Sequence, residues 1–90
     1  MFFVIAYDIS DDKRRLRMAK ELERWGNRTQ FSVFECDLDE REEREMLARL
    51  SKMCQDDDAL RIYRLCAECL GKTTIIGGKD LATDENFYQI

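Results

Sequence analysis

Phe2-Phe3-Val4-Ile5-Ala6-Tyr7-Asp8-Ile9-Ser10-Asp11-Asp12-Lys13-Arg14-Arg15 carries an apolar run into a carboxylate and then, at once, into a cationic helix start. Six apolar residues in succession are what a strand covered on both faces shows, so Asp8 ends the buried run where the strand tip meets solvent. A hydrated strand tip is a place where a fold can hold a functional carboxylate at little desolvation cost.

Ser10 is the expected cap of the helix that follows, with Asp11 and Asp12 in its first turn at the positive end of the dipole. The helix is expected to stop at Gly26-Asn27. At about 100° per residue, Leu16, Met18, Ala19, Leu22 and Trp25 share one arc, and Lys13, Arg17, Lys20 and Arg24 share the opposite one. Arg15 falls on the apolar arc but in the first turn, where its side chain can leave the core beside Asp8. Read as structure alone, it is a salt-bridge partner for a nearby acid.

Arg28-Thr29-Gln30-Phe31-Ser32-Val33-Phe34-Glu35-Cys36-Asp37-Leu38 is rich in β-branched and aromatic residues and alternates from Ser32 onward. It makes one long strand or two short ones joined near Phe31-Ser32. A second helix opens on Asp39 and Glu42, an Asp-x-x-Glu relative of the capping box, turns Met46, Leu47, Leu50, Met53 and Cys54 inward, and closes at Asp56-Asp57-Asp58. Ala59 to Leu65 reads as a strand that sets Leu60, Ile62 and Leu65 against Arg61 and Arg64, and Lys72 to Ile76 as another, ended by Gly77-Gly78. This order predicts an α+β fold, a ferredoxin-like split βαβ sandwich with an antiparallel sheet and two helices on one face. The domain spans 1–78. In the tail, 79–90, Phe87-Tyr88-Gln89-Ile90 reads as an extra strand for a sheet edge, its own or a neighbour's.

A chain of 90 residues buries only about 60–65% of its unfolded surface, so a second copy would add usefully to its stability. The four cysteines form no dense framework, and the apolar start lacks a basic lead. A reducing, cytoplasmic setting is therefore expected. No apolar run approaches the roughly 20 residues of a spanning helix, which leaves no membrane role.

The net charge of −4 conceals an uneven distribution. Residues 13–28 hold seven cations against Glu21 and Glu23, whereas residues 35–58 hold ten acids against Arg41, Arg44, Arg49 and Lys52. One face can attract phosphate while another repels it. As structure alone, both runs are solvated helix faces.

The absence of histidine removes the commonest general acid/base and metal ligand, and with it Ser-His and Cys-His nucleophilic catalysis. Cys66-Ala67-Glu68-Cys69 has CxxC spacing, but a closed zinc site needs about four ligands, and Cys36 and Cys54 lie in a strand and on an inner helix face. A solvent-side turn is the plainer reading. Gly77-Gly78 has neither the spacing nor the Lys-Ser/Thr of a phosphate loop. What remains is carboxylate plus metal: Asp8, with Ser10, Asp11 or Asp12 close by, suits a hard divalent ion. Two copies of Asp8 brought together would repel unless a cation lay between them. As structure alone, Asp8 is a helix-opening residue.

Three segments in order, Tyr7-Asp8-Ile9-Ser10-Asp11-Asp12-Lys13-Arg14-Arg15, Gln30-Phe31-Ser32-Val33-Phe34-Glu35-Cys36 and Arg61-Ile62-Tyr63-Arg64-Leu65-Cys66, resemble the CRISPR-associated protein 2 family. That family is the small dimeric partner of the integrase that inserts spacers into CRISPR arrays. The resemblance implies a ferredoxin-like homodimer in which Asp8 meets its symmetry mate and binds magnesium or manganese. It also places the positions implicated in endoribonuclease or DNA endonuclease activity on Tyr7, Asp8, Arg15, Arg17, Arg28 and Phe34. The strongly acidic second helix and the segment from Leu70 to Ile90 depart from the family pattern.

Two functions follow from different classes. In the first, Lys13, Arg14, Arg17, Lys20, Arg24 and Arg28 grip protospacer duplex DNA by its backbone, and the dimer is a scaffold bridging integrase dimers during spacer acquisition. In the second, Asp8 holds the metal, Arg15 or Arg17 stabilises phosphate charge, and Tyr7 and Phe34 position a strand, single-stranded RNA included, for attack by metal-bound water.

Overall fold

The computed structural model describes residues 1–55 and 57–77. Its elements run β1 (Phe2–Asp8), α1 (Asp12–Glu23), β2 (Asn27–Gln30), β3 (Val33–Asp37), α2 (Glu40–Met53), β4 (Ala59–Leu65) and α3 (Ala67–Gly71). The sheet order is β2-β3-β1-β4, and each neighbouring pair is antiparallel. Each helix therefore carries the chain across one intervening strand, which is the split βαβ arrangement of the ferredoxin-like fold.

Alternation along β1 sends Phe3, Ile5 and Tyr7 into a core shared with Met18, Ala19 and Leu22 of α1, Phe34 and Cys36 of β3, and Met46 and Leu50 of α2. The opposite face of β1 is only partly covered. Val4 and Ala6 are half-buried and Asp8 is exposed, while Phe2 is enclosed at the end where Leu65, Ala67 and Leu70 line the same shallow cavity. The continuous apolar run thus faces the core on one side and, on the other, a sheet face that one chain leaves partly open.

Several expectations shift by a residue or a turn. Asp11, not Ser10, caps α1, its carboxylate accepting from the Arg14 backbone N–H at 2.9 Å. Leu16 is 60% exposed, because at about 100° per residue it lies roughly 120° around the helix from Leu22. The stretch near Phe31-Ser32 is a turn between two strands, with a register irregularity between Arg28 and Gln30. Asp39 and Glu42 form the capping box in both directions. Met46 and Leu50 are buried beneath α2, with Leu47, Met53 and Cys54 packed at its margin, and α2 ends at Met53 before the aspartates.

The strand expected at Lys72 to Ile76 is absent. The chain instead turns into α3 directly after β4, and residues 72–76 are irregular. Burying Leu70 in this turn of helix draws the chain back over the Phe2 end of the sheet, away from a strand-pairing path. The tail strand expected within 79–90 lies outside the described residues. Among the described residues no helix is long and apolar enough to cross a membrane.

Candidate nucleic-acid interface and carboxylate site

Asp8 is the last residue of β1, exposed, opposite Ala59 of β4 and on the helix-free face of the sheet. Arg15 does not reach for it. Its Nη1 donates to the carbonyls of Ile9 at 3.0 Å and Ser10 at 3.4 Å, and its Nη2 pairs with Asp12. A guanidinium with several donors in a fixed fork can close the β1–α1 loop in this way, and the loop's own carbonyls are nearer than the strand-tip carboxylate. Asp11 is held by its capping bond, which leaves Asp8 as the carboxylate of this loop with no hydrogen-bond or ion-pair partner among the described residues.

Tyr7 and Phe34, expected to position a strand, are enclosed at 4% and 0% exposure. Their rings stack at a centroid separation of 6.3 Å. The Tyr7 hydroxyl donates to the Phe31 carbonyl at 3.3 Å and accepts from Arg28 Nη2 at 3.2 Å. The Arg28 guanidinium also lies over the Phe34 and Phe31 rings, 5.5 and 5.6 Å from their centroids. Arg28 is therefore joined to Tyr7 and Phe34 across β1, β2 and β3, and does not lie along the outer stripe of α1. Among the described residues the aromatic most open to solvent is Phe31, 70% exposed at the tip of the β2–β3 turn, ahead of Tyr63 at 50%. An aromatic where two strands were expected to kink was the available sequence signal for it.

The basic stripe is real but shorter than expected. Lys13, Arg17, Lys20 and Arg24 are exposed along one face of α1, and the first three have no ion-pair partner among the described residues. Arg24 stands over the Trp25 ring and 3.6 Å from Glu21, which Arg49 of α2 approaches at 3.8 Å. Arg14 leaves the stripe: its Nε and Nη2 fork onto Asp58 at 3.0 and 3.1 Å, and the Asp58 side chain is fully enclosed. Asp58 also accepts from the Gln55 backbone N–H. The Arg14 bond and that N–H hold the Asp58 carboxyl below the ordinary carboxylate range. The pair fastens the chain after α2 to the first turn of α1, a role that a three-aspartate run did not reveal.

No group of three or more His, Cys, Asp or Glu that could hold a metal gathers among the described residues. One copy offers Asp8 alone. A magnesium ion is commonly held by one or two carboxylates plus water, and Asp8 supplies one such carboxylate. Cys66 caps α3 and Cys69 lies within it, both exposed, so the CxxC spacing forms a helical turn and not a loop. Bonds from the Cys69 backbone N–H and thiol lower the Cys66 pKa, and the same thiol contact raises that of Cys69.

The sequence matches, over residues 1–73, the family described as CRISPR associated protein Cas2. The chain belongs to the Cas2 family. A relative from Chloroflexus aurantiacus, named CRISPR-associated endoribonuclease Cas2 1, is 47% identical over 93 residues covering 100% of both chains. Cas2 of Streptococcus pyogenes, crystallised at pH 6.5, superposes with a TM-score of 0.72 at 28% identity over 86% of this chain and 100% of that one. A chain of a partial Cas6-RT-Cas1–Cas2 complex shares the fold, with a TM-score of 0.71 at 24% identity over 86% of this chain and 91% of that one. All three segments that resemble the Cas2 family fall within the matched residues.

Proposed function

We propose that this chain acts in CRISPR spacer acquisition as a homodimeric scaffold that holds duplex DNA by its backbone and bridges integrase dimers. The observation that carries the reading is the stripe of Lys13, Arg17 and Lys20 on α1, cations without acidic partners among the described residues of an acidic chain. Charge left unneutralised on one helix face is suited to phosphate, and such contacts position nucleic acid without reading its sequence. The partly open sheet face, with Val4 and Ala6 half-buried and Tyr63 50% exposed, offers a second copy an apolar surface. A chain of this fold occurs, by name, in a complex with Cas1, the kind of partner that the reading requires.

The relative named an endoribonuclease and the unpaired Asp8 favour a second reading, a nuclease using magnesium or manganese held between two copies of Asp8. When bound, the metal would supply an activated water and neutralise phosphate charge. Asp8 would hold the ion, Arg17 would face the phosphate, and Arg15 would fix the loop between them. Tyr7 and Phe34 would support the site from beneath.

The test is the salt dependence of duplex binding, paired with an integration assay using the cognate integrase. Each phosphate neutralised contributes about −0.9 to the slope of log affinity against log salt for B-DNA. Arg17→Ala with Lys20→Ala removes two cations from each copy and should flatten that slope by up to about 3.6 per dimer, reducing integration in parallel. Binding that is indifferent to salt would overturn the scaffold reading.

A further inference from the structure

We infer that Phe31 is a stacking platform for an unpaired base of single-stranded nucleic acid, set at the mouth of the Asp8 loop. The inference rests on the reading of the chain as a nucleic-acid binder and adds to it a residue that would contact the bases.

Phe31 occupies a turn, where small or polar residues are the usual solution, and it contributes nothing to the core, being 70% exposed. Its backbone is nevertheless held firmly. The Tyr7 hydroxyl donates to the Phe31 carbonyl at 3.3 Å, and the Tyr7 backbone N–H donates to the Ser32 carbonyl at 3.1 Å. The turn is thereby fastened to the residue preceding Asp8, and the ring is presented from a rigid base. A preorganised aromatic loses little freedom when it meets a ligand.

The surroundings supply the charge. The Arg15 and Arg28 guanidiniums lie 5.8 and 5.6 Å from the Phe31 ring centroid. Both are pinned by protein partners, Arg15 by the Ile9 and Ser10 carbonyls and Asp12, Arg28 by the Tyr7 hydroxyl. Arg28 has no carboxylate partner among the described residues, so its positive charge stays uncompensated beside the ring. An exposed aromatic interleaved with fixed cations is how single strands are held without sequence preference, each base offering a π-face and each phosphate a charge. In a duplex the bases are stacked on one another and cannot use the ring. The two aromatics that the family likeness would assign to strand positioning, Tyr7 and Phe34, are buried, and of the three rings gathered around Arg28 it is Phe31 that a nucleotide can reach.

Fluorescence anisotropy with labelled oligothymidylate, oligouridylate and a blunt duplex, on the full chain, tests this. Phe31→Ala should weaken single-strand binding at least about fivefold, leave duplex binding unchanged and leave the melting temperature where it was, since the ring is outside the core. Phe31→Trp should preserve or strengthen single-strand binding, whereas Phe31→Leu should lose it, because an apolar side chain without a π-face cannot stack. Equal single-strand affinity for the parent, Phe31→Ala and Phe31→Leu, with duplex binding intact, would overturn the platform and leave the backbone grip standing. A parent that binds none of the three would overturn both.

Discussion

The Tyr7 hydroxyl accepts a hydrogen bond from the Arg28 guanidinium at 3.2 Å, joining a buried residue of β1 to an exposed one of β2. The same hydroxyl donates to the Phe31 carbonyl. Tyr7→Phe removes both bonds while keeping the ring packed on Phe34. The expected cost is about 1 kcal/mol of stability, read from the urea midpoint, with duplex affinity unchanged. A loss of duplex affinity without a stability change would place Tyr7 at the DNA itself.

The Arg14–Asp58 fork gives stability a defined pH dependence. Asp58 has a lowered pKa in the folded chain, so the folded state binds fewer protons than the unfolded one near the ordinary value of 3.8. Its contribution is complete above that value and is lost as pH falls through the lower folded-state pKa. Asp58→Asn should melt below the parent at pH 7, and the gap should close as both are acidified. A gap that is constant with pH would show that the pair does not act through charge.

Asp8→Ala should change stability by less than about 0.5 kcal/mol, as an exposed strand-tip substitution does, and should leave duplex binding and integration largely intact. Any magnesium- or manganese-dependent cleavage should vanish, in the variant and in the parent treated with chelator. Abolished integration in an Asp8→Ala protein that still folds and binds DNA would replace the scaffold reading with the nuclease one.

Gly26 is required by space. A Cβ there would stand 2.1 Å from the Glu35 carbonyl oxygen and 2.8 Å from its carbon, both backbone atoms of β3, which is paired on both sides. Gly26→Ala should destabilise by about 3 kcal/mol or more, or prevent folding, measured by denaturant titration. Gly71→Ala, where nothing lies within 4 Å, is the control and should be tolerated.

Thiol reactivity should be ordered. The thiolate is the nucleophile, and Cys66 is held below its usual pKa while burial pushes Cys36 up to about 11. Iodoacetamide at neutral pH should therefore modify Cys66 first and Cys36 only after denaturation, as read by peptide mass mapping. Cys54, raised by burial and the nearby Asp58 charge, should react late.

The ferredoxin-like frame was legible because its signals are local. The Asp39/Glu42 capping box, the apolar β1 and the period of α1 each act within a few residues, and each appears within a turn of where the sequence placed it, Leu16 excepted. The missing fifth strand was not legible. Lys72 to Ile76 has β-branched composition, but whether it pairs depends on the path taken after β4, and burial of Leu70 in α3 decides that path.

The site divides in the same way. The stripe of Lys13, Arg17, Lys20 and Arg24 could be read from the sequence, because residues three and four apart share a helix face. Arg14 could not be removed from the nucleic-acid set by sequence, since its partner Asp58 lies 44 positions away. Likewise, nothing local distinguishes the buried Phe34 from the exposed Phe31 in a stretch that holds both. Composition and periodicity determined the elements, the cationic helix face and the strand-tip carboxylate at Asp8. Only the tertiary structure decided which cations remain free, which aromatics meet solvent and which face of the sheet stays partly open, because burial and ion pairing depend on distances between residues far apart in the chain.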